Sequence, residues 1–127
     1  LWPIPPIAVD IPGTTRGWAT AHAATILNGL MVVAVALALP HLALEGARAR
    51  WVVWGLVATA WGNTLFYTFA PIAPNRALSM GTNRFGEGTL TGVLGFAPAM
   101  IAAILVLIAL TIAARAAFAR ASSVRSD

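Results

Sequence analysis

Three long apolar runs divide the chain. The first extends from about Trp18 to Leu39. It holds Ile26, Leu27, Leu30, Met31, Val32, Val33, Val35 and Leu37, and no Asp, Glu, Arg or Lys. The second extends from about Arg50 to Phe69, the third from about Thr89 to Ala114. At 1.5 Å per residue, roughly 20 residues of helix cross the hydrocarbon layer of a bilayer. The pattern therefore predicts an all-α integral membrane protein with three transmembrane helices in a bundle. Pro40 ends the first helix and Pro71 the second, because proline lacks the amide that helix continuation needs. Gly92, Gly95 and Pro98 predict a kink or a tight helix contact in the first half of the third.

Polar stretches mark the remainder. Residues 1–17 carry Pro3, Pro5, Pro6, Pro12 and Gly13 and read as an extramembrane loop, with Trp2 and Trp18 near the interface. The opening has no basic segment followed by an apolar one, so it does not read as a signal peptide. A chain that begins at Leu1 rather than Met predicts a true N-terminus further upstream. Residues 18–119 form the membrane bundle, and the Ser-rich stretch 120–127 reads as a disordered tail. The first connection, roughly Pro40 to Ala49, is short. The second, about Ala70 to Gly88, is long and rich in turn formers, including Asn75 and Asn83. Loops of that length without regular structure usually serve a function or are disordered. Phe85 and Met80 predict that this one folds back onto the protein.

Composition strengthens the membrane reading. Apolar residues make up 59% of the 127 and charged ones 9%, against about 25% charged in a soluble domain. There is no cysteine, which excludes disulfides, iron–sulfur clusters and thiolate ligands. The net charge of +4 comes entirely with arginine as the cation. These arginines flank apolar segments and form no stripe interleaved with aromatics, so nucleic acid is not the expected partner. Arg48, Arg50, Arg115, Arg120 and Arg125 fall on one side of three crossings, Arg16, Arg76 and Arg84 on the other. The excess predicts that the first connection and the tail are cytoplasmic, in a bacterial inner membrane.

Few polar side chains fall inside the apolar runs, and such groups are costly there and often functional. His22 lies about one turn into the first helix. It reads either as a hydrogen-bonded interfacial histidine or as an axial ligand to a metal or haem, for which imidazole is the usual donor. The other histidine, His41, comes 19 residues later, roughly 28 Å away along a helix, and reads as a loop residue. No carboxylate or thiol near His22 completes a zinc site, so a single-point haem attachment is the metal reading. Asn28 follows His22 by six residues, a rotation of about 240°. The two point to different sides of the helix and would serve one cavity only across an oligomer. Gly29 would allow a close helix approach beside Asn28. On the second helix Thr59, Asn63 and Tyr67 are spaced i, i+4, i+8 and share one stripe. They read either as inter-helix hydrogen-bonding groups or as the polar wall of a small-molecule pocket.

These residues carry a resemblance. Gly17-Trp18-Ala19-x-Ala21-His22, then Leu27-Asn28-Gly29-x-Met31-Val32, is similar to the histidine segment of the styrene oxide isomerase family. Trp61-x-Asn63-x-x-x-Tyr67, Pro74-Asn75-Arg76, Asn83-x-Phe85-Gly86-x-Gly88 and Ala97-Pro98-Ala99 resemble it in the same order, over roughly Gly17 to Met100. The resemblance implies a small membrane protein of four helices, one of them preceding this chain, that forms a homotrimer and binds haem b between subunits. It implies His22 as the axial iron ligand. Asn28 and Tyr67 would face the open side of the iron from a neighbouring subunit, with Asn63 nearby. The implied reaction is the rearrangement of a small hydrophobic aryl epoxide to an aldehyde, with ferric iron as Lewis acid. Where the family has an acidic residue on the second helix, this chain has Thr59. A rival expectation is a non-enzymatic haem-carrying or structural membrane subunit of a larger oxidoreductase complex.

Overall fold

A computed structural model of the chain describes residues 11–42 and 44–124. The opening segment with Trp2 and Asp10, and the last three residues with Arg125, lie outside the described residues. Three helices account for most of the rest: α1 (Thr15–Ala38), α2 (Gly46–Phe69) and α3 (Leu90–Val124). A 3-10 turn, Leu39–Leu42, follows α1. Among the described residues there is no β-strand, only an isolated antiparallel bridge between Asn83 and Gly86.

The ends differ from the sequence reading for local reasons. α1 begins three residues before Trp18 because Thr14 caps it: its Oγ1 accepts from the Gly17 amide at 3.0 Å. The Trp18 indole donates to the Pro12 carbonyl at 2.9 Å and ties the entering chain to the helix. α2 begins at Gly46, so Arg48 and Arg50 both lie in its first turns. α3 passes through Pro98 without interruption and continues to Val124, into the stretch read as tail. Ser122 donates back to the Phe118 carbonyl there.

α2 and α3 form the tight part of the bundle. Val52, Gly55, Leu56, Thr59 and Gly62 make up the buried stripe of α2. It meets Ala102 and Ala109 on α3. Small residues let the backbones come close. A Cβ at Gly62 would lie 2.7 Å from the Pro98 carbonyl oxygen and 2.8 Å from Ala102 Cβ. Val52, Leu56 and Ala109 form the buried apolar cluster, with Met31, Val35 and Leu39 of the first helical segment packed against it. Gly29 does not serve as a close-approach point within the chain, because nothing lies within 4 Å of a Cβ there. α1 touches α2 along a narrower seam and leaves Ile26, Leu27, Leu30, Val33 and Leu37 exposed.

Two helical stretches, Thr15–Leu42 and Leu90–Ser122, are long and apolar enough to cross a membrane. Only 6% and 17% of their most apolar windows are buried within the chain. A core helix of a soluble protein would be mostly covered. Trp51, Trp54 and Trp61 stand on the outer surface of α2. Soluble monomers seldom expose contiguous apolar patches beyond a few hundred Å², so this surface requires an apolar solvent or further protein.

The long connection folds onto the bundle, by other anchors than Met80, which is 56% exposed. Its centre is Asn75, fully buried. Asn75 Oδ1 accepts from the Ala77 amide, and Nδ2 donates to the carbonyls of Ser79 and Gly81. Asn83 in turn donates to the Asn75 carbonyl at 3.0 Å. Gly92 and Gly95 receive this loop: a Cβ would come within 2.5 Å of Asn75 Oδ1 at the first and 2.7 Å of Ala77 Cβ at the second. The glycines thus make a tight contact, with a loop instead of a helix. Arg76 and Ala77 take positive φ, 57° and 51°, a conformation that the Asn75 bonds hold in place.

Candidate active site

The end of the bundle where α1 starts and α2 stops contains a cleft of about 720 Å³, within the range of small-molecule sites. Ala21 of α1, Phe66 and Tyr67 of α2, and Pro71 and Phe85 of the connection contribute its apolar walls. Arg16 and Arg76 contribute two guanidiniums. The Tyr67 ring meets Phe66 edge to face, with centroids 5.6 Å apart, which fixes the plane of the phenol. No hydrogen bond among the described residues engages the Tyr67 hydroxyl, so it is free to donate.

One turn deeper, the polar stripe of α2 is used differently. Asn63 Nδ2 donates to Asn28 Oδ1 at 3.1 Å, and Asn28 Nδ2 donates to the Ala60 carbonyl at 3.1 Å. Asn28 is buried, turned inward against α2. Deeper still, Thr59 is buried, and its single hydroxyl proton is shared between the carbonyls of Gly55 at 2.7 Å and Ala102 at 3.2 Å. An ionised carboxylate in that place would face two carbonyl oxygens with no donor. The stripe therefore changes role along its length, from helix pairing at Thr59 and Asn63 to cleft wall at Tyr67.

His22 is exposed on α1 and does not line the cleft, although its neighbour Ala21 does. No hydrogen bond among the described residues reaches its imidazole. The described residues also contain no group of three His, Asp or Glu able to chelate a bare ion. An imidazole without partners on an apolar helix surface fits single-point attachment of a large apolar metal complex, of which haem is the ordinary case. His41 is exposed in the 3-10 turn, at the other end of α1.

The chain thus brings Asn28 and Asn63 into contact, with Tyr67 one turn beyond, and keeps His22 apart from all three. Arg16, Arg76 and Phe85 line the cleft but were legible in the sequence only as flanking charge and as a loop anchor. The Pro74-Asn75-Arg76 and Asn83-x-Phe85 motifs were the available signal.

The family model for styrene oxide isomerase matches residues 1–118. This chain belongs to the styrene oxide isomerase family. It is also 38% identical over 102 residues to a styrene-oxide isomerase of Pseudomonas fluorescens. That match covers 80% of this chain and 60% of the relative.

Proposed function

We propose that the chain is the main part of a haem-dependent epoxide isomerase that converts a small aryl epoxide, such as styrene oxide, to an aldehyde. The observation that carries this reading is the unpartnered Tyr67 hydroxyl in an apolar cleft, in a chain whose relative is a styrene-oxide isomerase. Three membrane crossings are part of the proposal, α2 being the third. Its 24 residues span about 36 Å as helix, and its outer surface is lined by indoles. The inner membrane, with the first connection facing the cytoplasm, follows from the arginine distribution.

His22 would hold haem b by its imidazole. When bound, ferric haem supplies an electron-accepting centre for the epoxide oxygen. Tyr67 would donate a hydrogen bond to that oxygen as negative charge gathers on it. Asn28 and Asn63 would serve the same site from one turn deeper. Their mutual bond fixes both carboxamide planes, and each amide retains one N–H for an oxygen acceptor. In the substrate, the benzylic C–O bond breaks, a hydride moves from the terminal carbon to the benzylic one, and the oxygen becomes a carbonyl. Atoms and electrons balance without a co-reactant. The walls from Phe66, Pro71 and Phe85 would limit water at the opened epoxide, where it would give a diol.

Because His22 and the Tyr67 cleft belong to different sides of one chain, the ligand of one copy and the cleft of another would complete a site. A homo-oligomer, a trimer by family resemblance, is therefore part of the proposal. The test is to purify the protein from membranes, record its visible spectrum and assay styrene oxide. A Soret band with aldehyde formation is expected. A Soret band without turnover would instead indicate a haem carrier, and absence of the band a structural subunit.

A further inference from the structure

We infer that the Arg16–Arg76 cleft binds the two carboxylates of the haem whose iron a neighbouring copy's imidazole would hold, so that the cofactor is gripped by its charged edge as well as by its iron. The inference rests on the haem reading above and goes beyond it in assigning two arginines that reading does not use.

The cleft is lopsided in charge. Arg16 arrives from the first turn of α1 and Arg76 from the connection, and among the described residues no Asp or Glu lines it. Among the described residues no carboxylate pairs with either guanidinium. Arg76 rests on the Phe85 ring at 4.4 Å and Arg84 rests on the same ring at 4.6 Å. Like charges held together beside low-dielectric walls raise one another's energy unless an anion joins them. The arrangement is also not left to chance. Arg76 stands in a positive-φ conformation directly after Asn75, whose side chain bonds to three backbone groups of the loop. A loop so fixed presents the guanidinium in one place.

The rest of the cleft matches a ligand that is apolar with an anionic edge. Phe66, Tyr67 and Pro71 offer apolar area, while the two guanidiniums offer forked donors suited to carboxylates. The epoxide substrate carries no charge and gives these arginines no task. A haem has two carboxylates, one for each guanidinium.

The test follows loss of haem from the purified holoprotein to excess apomyoglobin, read at the Soret band. Arg16→Gln and Arg76→Gln should each speed haem loss about tenfold or more, as expected for losing a charge-assisted contact. Arg16→Lys and Arg76→Lys should recover part of it. Arg84→Gln, which touches Phe85 without lining the cleft, should lose haem at the parental rate. Reconstitution with haem dimethyl ester supplies the second arm. The parent should bind the diacid at least tenfold more tightly, and the double Gln variant should bind both alike. Equal affinity of the parent for diacid and ester, or unchanged haem loss in both Gln variants, would overturn the inference. So would a loss of co-purifying anionic phospholipid from those variants with haem retention unchanged, since the cleft would then hold a lipid headgroup. Absence of any Soret band in the parent would instead sink the haem reading itself.

Discussion

Asn63 of α2 donates its amide to Asn28 of α1 at 3.1 Å, and that bond is the one side-chain to side-chain hydrogen bond between α1 and α2 among the described residues. Asn28 also donates to the Ala60 carbonyl across the same seam, where α1 is only loosely held. Replacing one partner leaves the other amide without its bond. Asn28→Leu and Asn63→Leu should each destabilise the fold by about 1–2 kcal/mol. The coupling between them in a double-mutant cycle should be about 0.5–1.5 kcal/mol, the range for inter-helix pairs in membranes. Unfolding by denaturing detergent, followed by circular dichroism, measures all three. Additive effects would show that the pair does not tie α1 to α2.

A second pair of positions tests which faces are closed. Gly62 meets the Pro98 carbonyl and Ala102, whereas Gly29 meets nothing within 4 Å. Gly62→Ala should cost about 1–3 kcal/mol by overpacking the α2–α3 contact. Gly29→Ala should change the stability of the monomeric unit by less than about 0.5 kcal/mol. The same unfolding assay compares them, and equal effects would contradict the packing described.

Asn75 supports a sharper test, because its carboxamide is fully buried and its Nδ2 donates to two carbonyls, Ser79 and Gly81. Asn75→Asp is nearly isosteric but sets an oxygen against both carbonyls. It should destabilise the protein by about 3–5 kcal/mol. Asn75→Ala, which only removes bonds, should cost about 2 kcal/mol. Proteolysis within the connection, together with thermal unfolding, reads both. An Asp variant as stable as the parent would mean that the loop does not depend on this side chain.

The parts of this molecule that were legible in its sequence are those governed by local rules. Apolar runs with Pro40 and Pro71 after them mark three helices, because helix length and proline's missing amide act within a few residues. The opposed directions of His22 and Asn28 followed from helical rotation alone, and the structure has one exposed and the other buried. The partner of Asn28 was not legible, since the stripe of Thr59, Asn63 and Tyr67 gives a shared face and no account of what faces it. Glycine was misread in the same way. Gly29 and Gly62 look alike in apolar helices, and only the neighbouring backbone distinguishes an open face from a contact at Pro98. The loop anchors were misjudged because hydrophobicity favoured Met80, whereas burial in this loop follows the backbone bonds of Asn75. Arg16 and Arg76 lie sixty residues apart and become a pair only when the connection folds back.

The last prediction separates the two proposed roles at the haem. His22 has an imidazole with no partner among the described residues, and Tyr67 has a free hydroxyl in the cleft. If His22 carries the iron, His22→Ala should lose the Soret band and the activity together, with the helical content by circular dichroism unchanged. Tyr67→Phe removes one hydroxyl and keeps the ring against Phe66, so haem should stay bound with an unaltered Soret maximum. Losing one oriented donor to a developing oxyanion typically lowers the rate on the order of 10²–10³-fold, about 3–4 kcal/mol. The loss should appear in kcat more than in KM, because the neutral epoxide needs the donor less than the charged transition state does. A His22→Ala protein with full haem occupancy would remove the imidazole from the proposed site. A Tyr67→Phe enzyme that turns over epoxide at the parental rate would leave the phenol a packing role and require the oxygen's donor to come from Asn28 or Asn63.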